Sequence, residues 1–370
     1  MSAPKPLLEL TELGVSIWLD DLDRNRLETG GLADLVANRC VRGVTTNPSI
    51  FEKAISSGAA AYAADLATLT ASGADTDTAI RRLTTDDVRA ACDVLREVYD
   101  SSDHVDGRVS IEVDPRLADD TETTIAQALE LWATVDRPNA LIKIPATRAG
   151  LPAITAAIAA GVSVNVTLIF AVERYLEVVG AYEEGLRQAA GNGHDLATIH
   201  SVASFFVSRV DVAIDARLDA MGTDEAAALR GRAAIANARL AWAAHRESLS
   251  SPSWQALAAQ GAHPQRPLWA STGVKDPAYD DTRYVVDLAV NGCVNTMPEP
   301  TLDAVADHGT VRGDTVTGTA DASAVVWQQL EALGISEAAV CAELEAEGVQ
   351  KFIDAWEQLR ATVATAMGAA

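Results

Sequence analysis

The chain has little cysteine, few basic residues and no long apolar run. Its four cysteines are Cys40, Cys92, Cys293 and Cys341, scattered over 370 residues. None forms a C-x-x-C pair, which argues against a disulfide framework or a zinc site and for a reducing compartment. No apolar stretch is long enough to span a bilayer, and the opening Met1-Ser2-Ala3-Pro4-Lys5-Pro6 lacks the apolar core of a signal peptide. These absences predict a cytoplasmic protein that does not engage membranes. Lys and Arg total 29 against 52 Asp and Glu, a formal net charge of −23. So acidic a surface repels nucleic acid, and an anionic substrate would need a local cluster of cations. No G-x-G-x-x-G follows any strand candidate, which removes the usual dinucleotide-binding reading. The six histidines show no two-His-plus-carboxylate spacing and no H-E-x-x-H, so neither a metal nor another cofactor is expected. His200, at the start of a strand candidate, reads as structural.

Hydrophobic residues make up 48% of the chain, ample for a large core. Eight short strand candidates recur, near Val15–Leu19, Gly43–Thr46, Val109–Val113, Leu141–Ile144, Ser163–Val166, Ile199–Ala203, Leu268–Ala270 and Gly292–Asn295. Each is followed by helical sequence. Alternating βα units imply a parallel sheet with helices outside, and eight of them imply a closed (β/α)8 TIM barrel of the α/β class. The whole of 1–370 reads as one barrel domain. Two gaps are too long for a single helix, so helical insertions are expected at about 55–105 and 222–262, with further C-terminal helices at about 321–367. The first gap holds helix-like Ile55–Leu69 and Thr85–Tyr99. The second holds Val207–Met221, Asp224–Ser248 and a Pro/Ser/Gln segment.

Lys143 stands in the middle of an apolar strand, Ala140-Leu141-Ile142-Lys143-Ile144-Pro145. A free lysine has a pKa near ~10.4, and desolvation can bring it to about 7–8, where the neutral amine can attack a carbonyl. The competing reading is an edge lysine pointing at water. Strand parity decides between them. Val15, Ile17 and Leu19 go to the helix layer while Ser16, Trp18 and Asp20 face the barrel interior. Val109, Ile111 and Val113 go out while Ser110 and Glu112 face in. Val162, Val164 and Val166 go out while Ser163, Asn165 and Thr167 face in. In strand seven Trp269 and Ser271 share one face. The polar residue lies at or near the C-terminal end of each strand, the barrel end where active sites are built. Asp20, Asn47, Glu112, Lys143, Asn165, Thr167, Ser204 and Ser271 are therefore expected to converge on one pocket. A lysine among carboxylates and amides points to Schiff-base chemistry on a carbonyl substrate.

The stretches Gly43-Val44-Thr45-Thr46-Asn47-Pro48-Ser49, Arg108-Val109-Ser110-Ile111-Glu112-Val113-Asp114, Leu141-Ile142-Lys143-Ile144-Pro145-Ala146-Thr147, Asn165-Val166-Thr167-Leu168-Ile169-Phe170 and Ser204-Phe205-Phe206-Val207-Ser208-Arg209 resemble the transaldolase family in its actinobacterial form. The resemblance is strong from about residue 15 to 300 and weaker in the insertions and C-terminal helices. It implies transfer of a dihydroxyacetone unit from sedoheptulose 7-phosphate to glyceraldehyde 3-phosphate in the pentose phosphate pathway, giving erythrose 4-phosphate and fructose 6-phosphate. It implies that Lys143 forms the iminium and that Asp20 takes the C4 hydroxyl proton during carbon–carbon cleavage. Glu112 and Thr167, with a water between them, would shuttle protons. Asn47 and Asn165 would bind the dihydroxyacetone hydroxyls, Ser204 and Phe206 would line the wall, and Arg209 would hold phosphate.

One stretch departs from the family pattern. After the strand-seven serine the common form has an arginine two residues on, whereas this chain reads Ser271-Thr272-Gly273-Val274-Lys275. Lys275 is expected to supply the second phosphate cation. Two rival readings remain: a fructose-6-phosphate aldolase-like lyase that releases free dihydroxyacetone, and a non-catalytic sugar-phosphate-binding barrel. In the lyase Glu112 and Phe206 would be glutamine and tyrosine. Sugar phosphates are the expected partners, and homo-oligomerisation is left open.

Overall fold

The computed structural model describes residues 3–369. Eight parallel strands close into a barrel in chain order: β1 Ser16–Leu19, β2 Gly43–Val44, β3 Arg108–Glu112, β4 Ala140–Pro145, β5 Val164–Ile169, β6 Ser201–Phe206, β7 Arg266–Ala270 and β8 Val294–Met297. Their residues are buried nearly throughout, as expected for parallel strands covered outside by helices and filled inside by side chains. The register sets Glu112 of β3 beside Lys143 of β4, and Lys143 beside Asn165 of β5.

The base of the barrel is plugged by Trp18. A Cβ on Gly43 would lie 2.5 Å from the Trp18 ring, so only glycine lets β2 pass it. Trp18 Nε1 and Ser16 Oγ donate to Asp106 at 3.1 and 2.6 Å, and Arg266 Nη1 reaches the same carboxylate at 3.1 Å.

Helix starts follow local caps. Asp75 accepts from the Thr78 amide at 2.8 Å and opens the helix Thr76–Val94, which therefore starts at Thr76 and not at Thr85. The expected Ile55–Leu69 helix is two, Pro48–Ser57 and Ala59–Ala71, with Gly58 between them as shared cap. The expected Asp224–Ser248 helix is also two, Asp224–Ala227 and Ala233–Ser248. Gly231 at φ 66° ends the regular path between them. The Pro/Ser/Gln segment holds a helix of its own, Pro252–Ala258, capped by Ser251.

A buried arginine helps tie the helices between β2 and β3 to the barrel. Arg24 Nε donates to Asp87 at 2.7 Å, Tyr62 Oη donates to the same carboxylate at 2.7 Å, and Asp65 also pairs with Arg24. The long helix Glu337–Ala369 packs on Pro48–Ser57, Thr76–Val94 and Ser208–Met221 at the C-terminal mouth. Gly348 lets it approach closely, since a Cβ there would sit 3.0 Å from Leu168 and 3.6 Å from Arg209 Nη1.

Candidate active site

Lys143 is 5% exposed. Its Nζ donates to the Thr46 carbonyl at 3.1 Å and meets Glu112 Oε2 at 3.3 Å. Burial pushes the Glu112 carboxyl up to about 7, against the downward pull of the Lys143 charge. Asp20 directly follows β1 and accepts from Thr45 Oγ1 at 2.6 Å. Thr45 gives that proton away, so its 2.6 Å contact with Thr296 Oγ1 is one in which it accepts. Burial raises the Asp20 pKa, with the Thr45 hydrogen bond and the charges of Lys143 and Arg209 acting against it. Two carboxyls whose pKa values are raised thus flank one amine.

A cavity of about 190 Å³ opens at the mouth of the barrel, and Asp20, Asn47, Lys143, Thr167, Ser204, Phe206, Arg209, Ser271 and Lys275 all line it. Glu112 lies behind Lys143 and lines a smaller neighbouring cavity of about 40 Å³ with Asn47, Phe51 and Trp356. Asn165 is fully buried and is not a lining residue of the larger cavity. Its amide donates to Ser110 Oγ at 2.9 Å and accepts from Ser204 Oγ at 2.7 Å, so what it does directly is orient Ser204. Asn47 caps the helix Pro48–Ser57 with its side-chain oxygen, 3.1 Å from the Ile50 amide, which leaves its NH2 for a ligand.

Two groups in the large cavity are poised for partners. Thr167 Oγ1 and Arg209 Nη1 are buried and find no hydrogen-bond partner among the described residues. The Arg209 guanidinium lies 5.1 Å over the Phe206 ring. Burial lowers the Arg209 pKa, and Asp20 and Glu347 oppose the shift. A buried guanidinium with a spare donor suits a phosphate or carboxylate.

The alternation in β7 does not extend to Ser271. Trp269 points to the helix layer, stacking edge-on with Phe205 and donating to the Leu288 carbonyl at 3.0 Å. Ser271 lines the cavity instead, because its φ of 56° turns the chain into the left-handed region. Leu168 at φ 61° makes a similar break in β5, where the register with β6 shifts between Val166 and Ile169.

Sequence reasoning missed Phe352, whose ring centroid is 5.2 Å from Lys143 Nζ. It comes from the Glu337–Ala369 helix, where a phenylalanine at helical spacing carries no functional signal. Thr45 and Thr296 were missed too, although Thr45 sits inside a stretch that had been singled out. Among the described residues no group of three His, Cys, Asp or Glu side chains gathers to hold a metal. No helix among them is long and apolar enough to cross a membrane.

Fold and site together define a (β/α)8 barrel built around a buried lysine flanked by carboxyls at its C-terminal mouth. Residues 17–363 match the family described as Transaldolase/Fructose-6-phosphate aldolase. The protein named Transaldolase from Mycolicibacterium paratuberculosis is 59% identical over 372 aligned residues, covering 100% of both chains. Its namesake from Mycolicibacterium smegmatis is 61% identical over 95% of each chain. That from Thermobifida fusca is 58% identical over 98% of this chain and 99% of its own. The chain belongs to the transaldolase family.

Proposed function

We propose that this protein is a transaldolase. It moves a dihydroxyacetone unit from sedoheptulose 7-phosphate to glyceraldehyde 3-phosphate and yields erythrose 4-phosphate and fructose 6-phosphate. The observation that carries the reading is the 3.3 Å contact of Lys143 Nζ with Glu112 Oε2, beside a cavity that also exposes Asp20 and an unpartnered donor of Arg209.

Lys143 attacks the donor ketone, and the resulting carbinolamine loses water to give an iminium. A group that both gives and takes protons works best with a pKa near the operating pH, and Glu112 at about 7 fits that demand. The spare Thr167 hydroxyl can hold the water that relays the proton. Asp20 accepts the C4 hydroxyl proton as the carbon–carbon bond breaks, the electron pair passing into the iminium. Addition to the acceptor aldehyde reverses these steps. Asn47 and Ser204 contact the dihydroxyacetone unit, Asn165 acts at least through Ser204, and Phe206 and Ser271 form the wall. Arg209 and Lys275 hold the phosphate. The reading treats 1–370 as one barrel domain, with 55–105 and 222–262 as insertions and 321–367 as an extension. It works in the cytoplasm on sugar phosphates.

Fructose 6-phosphate with erythrose 4-phosphate tests the assignment. Sedoheptulose 7-phosphate should form only with the acceptor present, at the same rate with and without chelator. Release of free dihydroxyacetone without acceptor, as fast as transfer with it, would make the protein a lyase instead.

A further inference from the structure

The opposite end of the barrel holds a second buried cation, and the mechanism does not use it. Arg108, the first residue of β3, is 1% exposed. Its Nε and Nη2 donate to the His104 carbonyl at 3.0 and 2.5 Å, and the guanidinium lies 5.3 Å from the Tyr99 ring. No carboxylate pairs with it among the described residues, and its Nη1 finds no acceptor there. The nearby Asp106 is already engaged by Ser16, Trp18 and Arg266.

Arg108 lines a cavity of about 90 Å³ at the base, bounded also by His200, His263, Leu141, Val202 and Val105. His200 is 6% exposed and its Nε2 also has no partner among the described residues. The His200 and His263 rings stack with centroids 4.3 Å apart. In a chain of net charge −23, two arginines and two histidines thus meet at one buried end, with Asp106 committed elsewhere. A space of this size holds several water-sized groups, roughly six or more. Its other walls are Leu141, Val202, Val105 and Pro264, together with Arg266, which is paired with Asp106, and Ser201, whose hydroxyl is engaged by the Val164 carbonyl and the Gln265 amide.

We propose that this basal cavity binds a small organic carboxylate, with the carboxylate on Arg108 Nη1 and His200 Nε2 and the aliphatic body against Leu141 and Val202. A buried, unpaired guanidinium is costly, and a bidentate anion answers it directly. A largely apolar enclosure in which one cation, Arg108, has no carboxylate partner favours a carboxylate with a short hydrocarbon tail over a bare inorganic ion. Burial and the Arg108 charge push the His200 imidazole down to about 2, against a hydrogen bond to the Ala197 carbonyl. The ring is therefore neutral in the empty cavity, and a carboxylate on Arg108 favours the tautomer that carries the proton on Nε2.

Butyrate is the probe, with butyramide as its uncharged counterpart and inorganic phosphate as the bare anion. Thermal unfolding of the full chain is followed at constant ionic strength. Butyrate should raise the midpoint saturably in the wild type and equally in Arg209→Ala, which lacks the cation at the mouth. Butyramide and phosphate should not. Arg108→Gln should weaken the butyrate effect by about tenfold or more, the cost of losing a charge-assisted hydrogen bond. Should that variant fail to fold, Val105→Phe narrows the cavity from a half-buried loop position, keeps Arg108, and should abolish the effect. A butyrate response absent in the wild type, lost in Arg209→Ala or retained in Val105→Phe would overturn the site. A phosphate response equal to that of butyrate would overturn the carboxylate assignment.

Discussion

At the base of the barrel Asp106 takes hydrogen bonds from Ser16, Trp18 and Arg266, and the charge is closed off by its neighbours. At the mouth Lys143 and Glu112 face each other, yet Thr167 Oγ1 and Arg209 Nη1 beside them remain without partners among the described residues. The same strands build both ends. Ser16 opens β1 and Asp20 directly follows it, and Arg108 and Glu112 are the first and last residues of β3. The difference lies in how completely the polar atoms are satisfied. A closed network stabilises the fold, whereas spare donors and raised carboxyls at the mouth are held in readiness for substrate. Arg108 and His200 break the pattern at the base, which is why that cavity reads as a second binding site and not as padding.

Substitutions at the two ends should therefore separate activity from stability. The largest effect is expected from Lys143→Met, with kcat falling by about 10⁴ or more, the scale typical of losing a catalytic nucleophile. The change leaves Glu112 without its buried partner, but a carboxyl already raised to about 7 takes up a proton and does not stay as an unpaired charge. Below pH 7 stability in urea should therefore stay within about 1 kcal/mol of the wild type. A loss of stability in step with the loss of activity would break the comparison. Asp106→Ala should do the reverse. Leaving Arg266 unpaired should cost about 2–4 kcal/mol in urea unfolding while KM stays within about twofold.

Glu112 sharpens the contrast through pH. Its carboxyl is raised from 4.5 to about 7, so the folded state binds this proton more tightly than the unfolded chain does. The contribution to stability is fully present below about pH 4.5 and is lost as pH rises through about 7, on the order of 3 kcal/mol in all. Glu112→Gln should flatten that part of the stability–pH curve, as seen in urea midpoints at pH 5 and pH 8. Curves that stay parallel for the two proteins would contradict the assignment. The smallest effects belong to the phosphate cations. Arg209→Ala should raise the KM for fructose 6-phosphate by about tenfold to a hundredfold, and Lys275→Ala by several-fold, roughly 1 kcal/mol. An unchanged KM in Lys275→Ala would remove that residue from the site.

Much of the barrel was legible because strand alternation and polar strand ends are local signals. Lys143, Asp20 and Thr167 could be placed at the mouth from parity alone. Ser271 lines the cavity as expected, but the parity that set Trp269 on the same face failed, because a positive φ at Ser271 breaks the alternation and no residue type there announces it. Asn165 also pairs through its amide with Ser110 and Ser204, contacts between strands that no local pattern reveals. Phe352 was invisible for a different reason. Its helix crosses the mouth because of packing at Gly348 and along Pro48–Ser57, a long-range arrangement with no trace in spacing. Helix boundaries moved where a cap or glycine decided them, at Asp75, Gly58 and Gly231.

The central claim is that the Lys143 amine forms a covalent bond to the donor ketone. Mass spectrometry of the protein after borohydride reduction in the presence of fructose 6-phosphate tests it directly. The account predicts one reduced dihydroxyacetone adduct, mapped to the peptide containing Lys143 and absent from Lys143→Met. An unmodified Lys143 in active protein, or an equal adduct on the Lys143→Met variant, would contradict it.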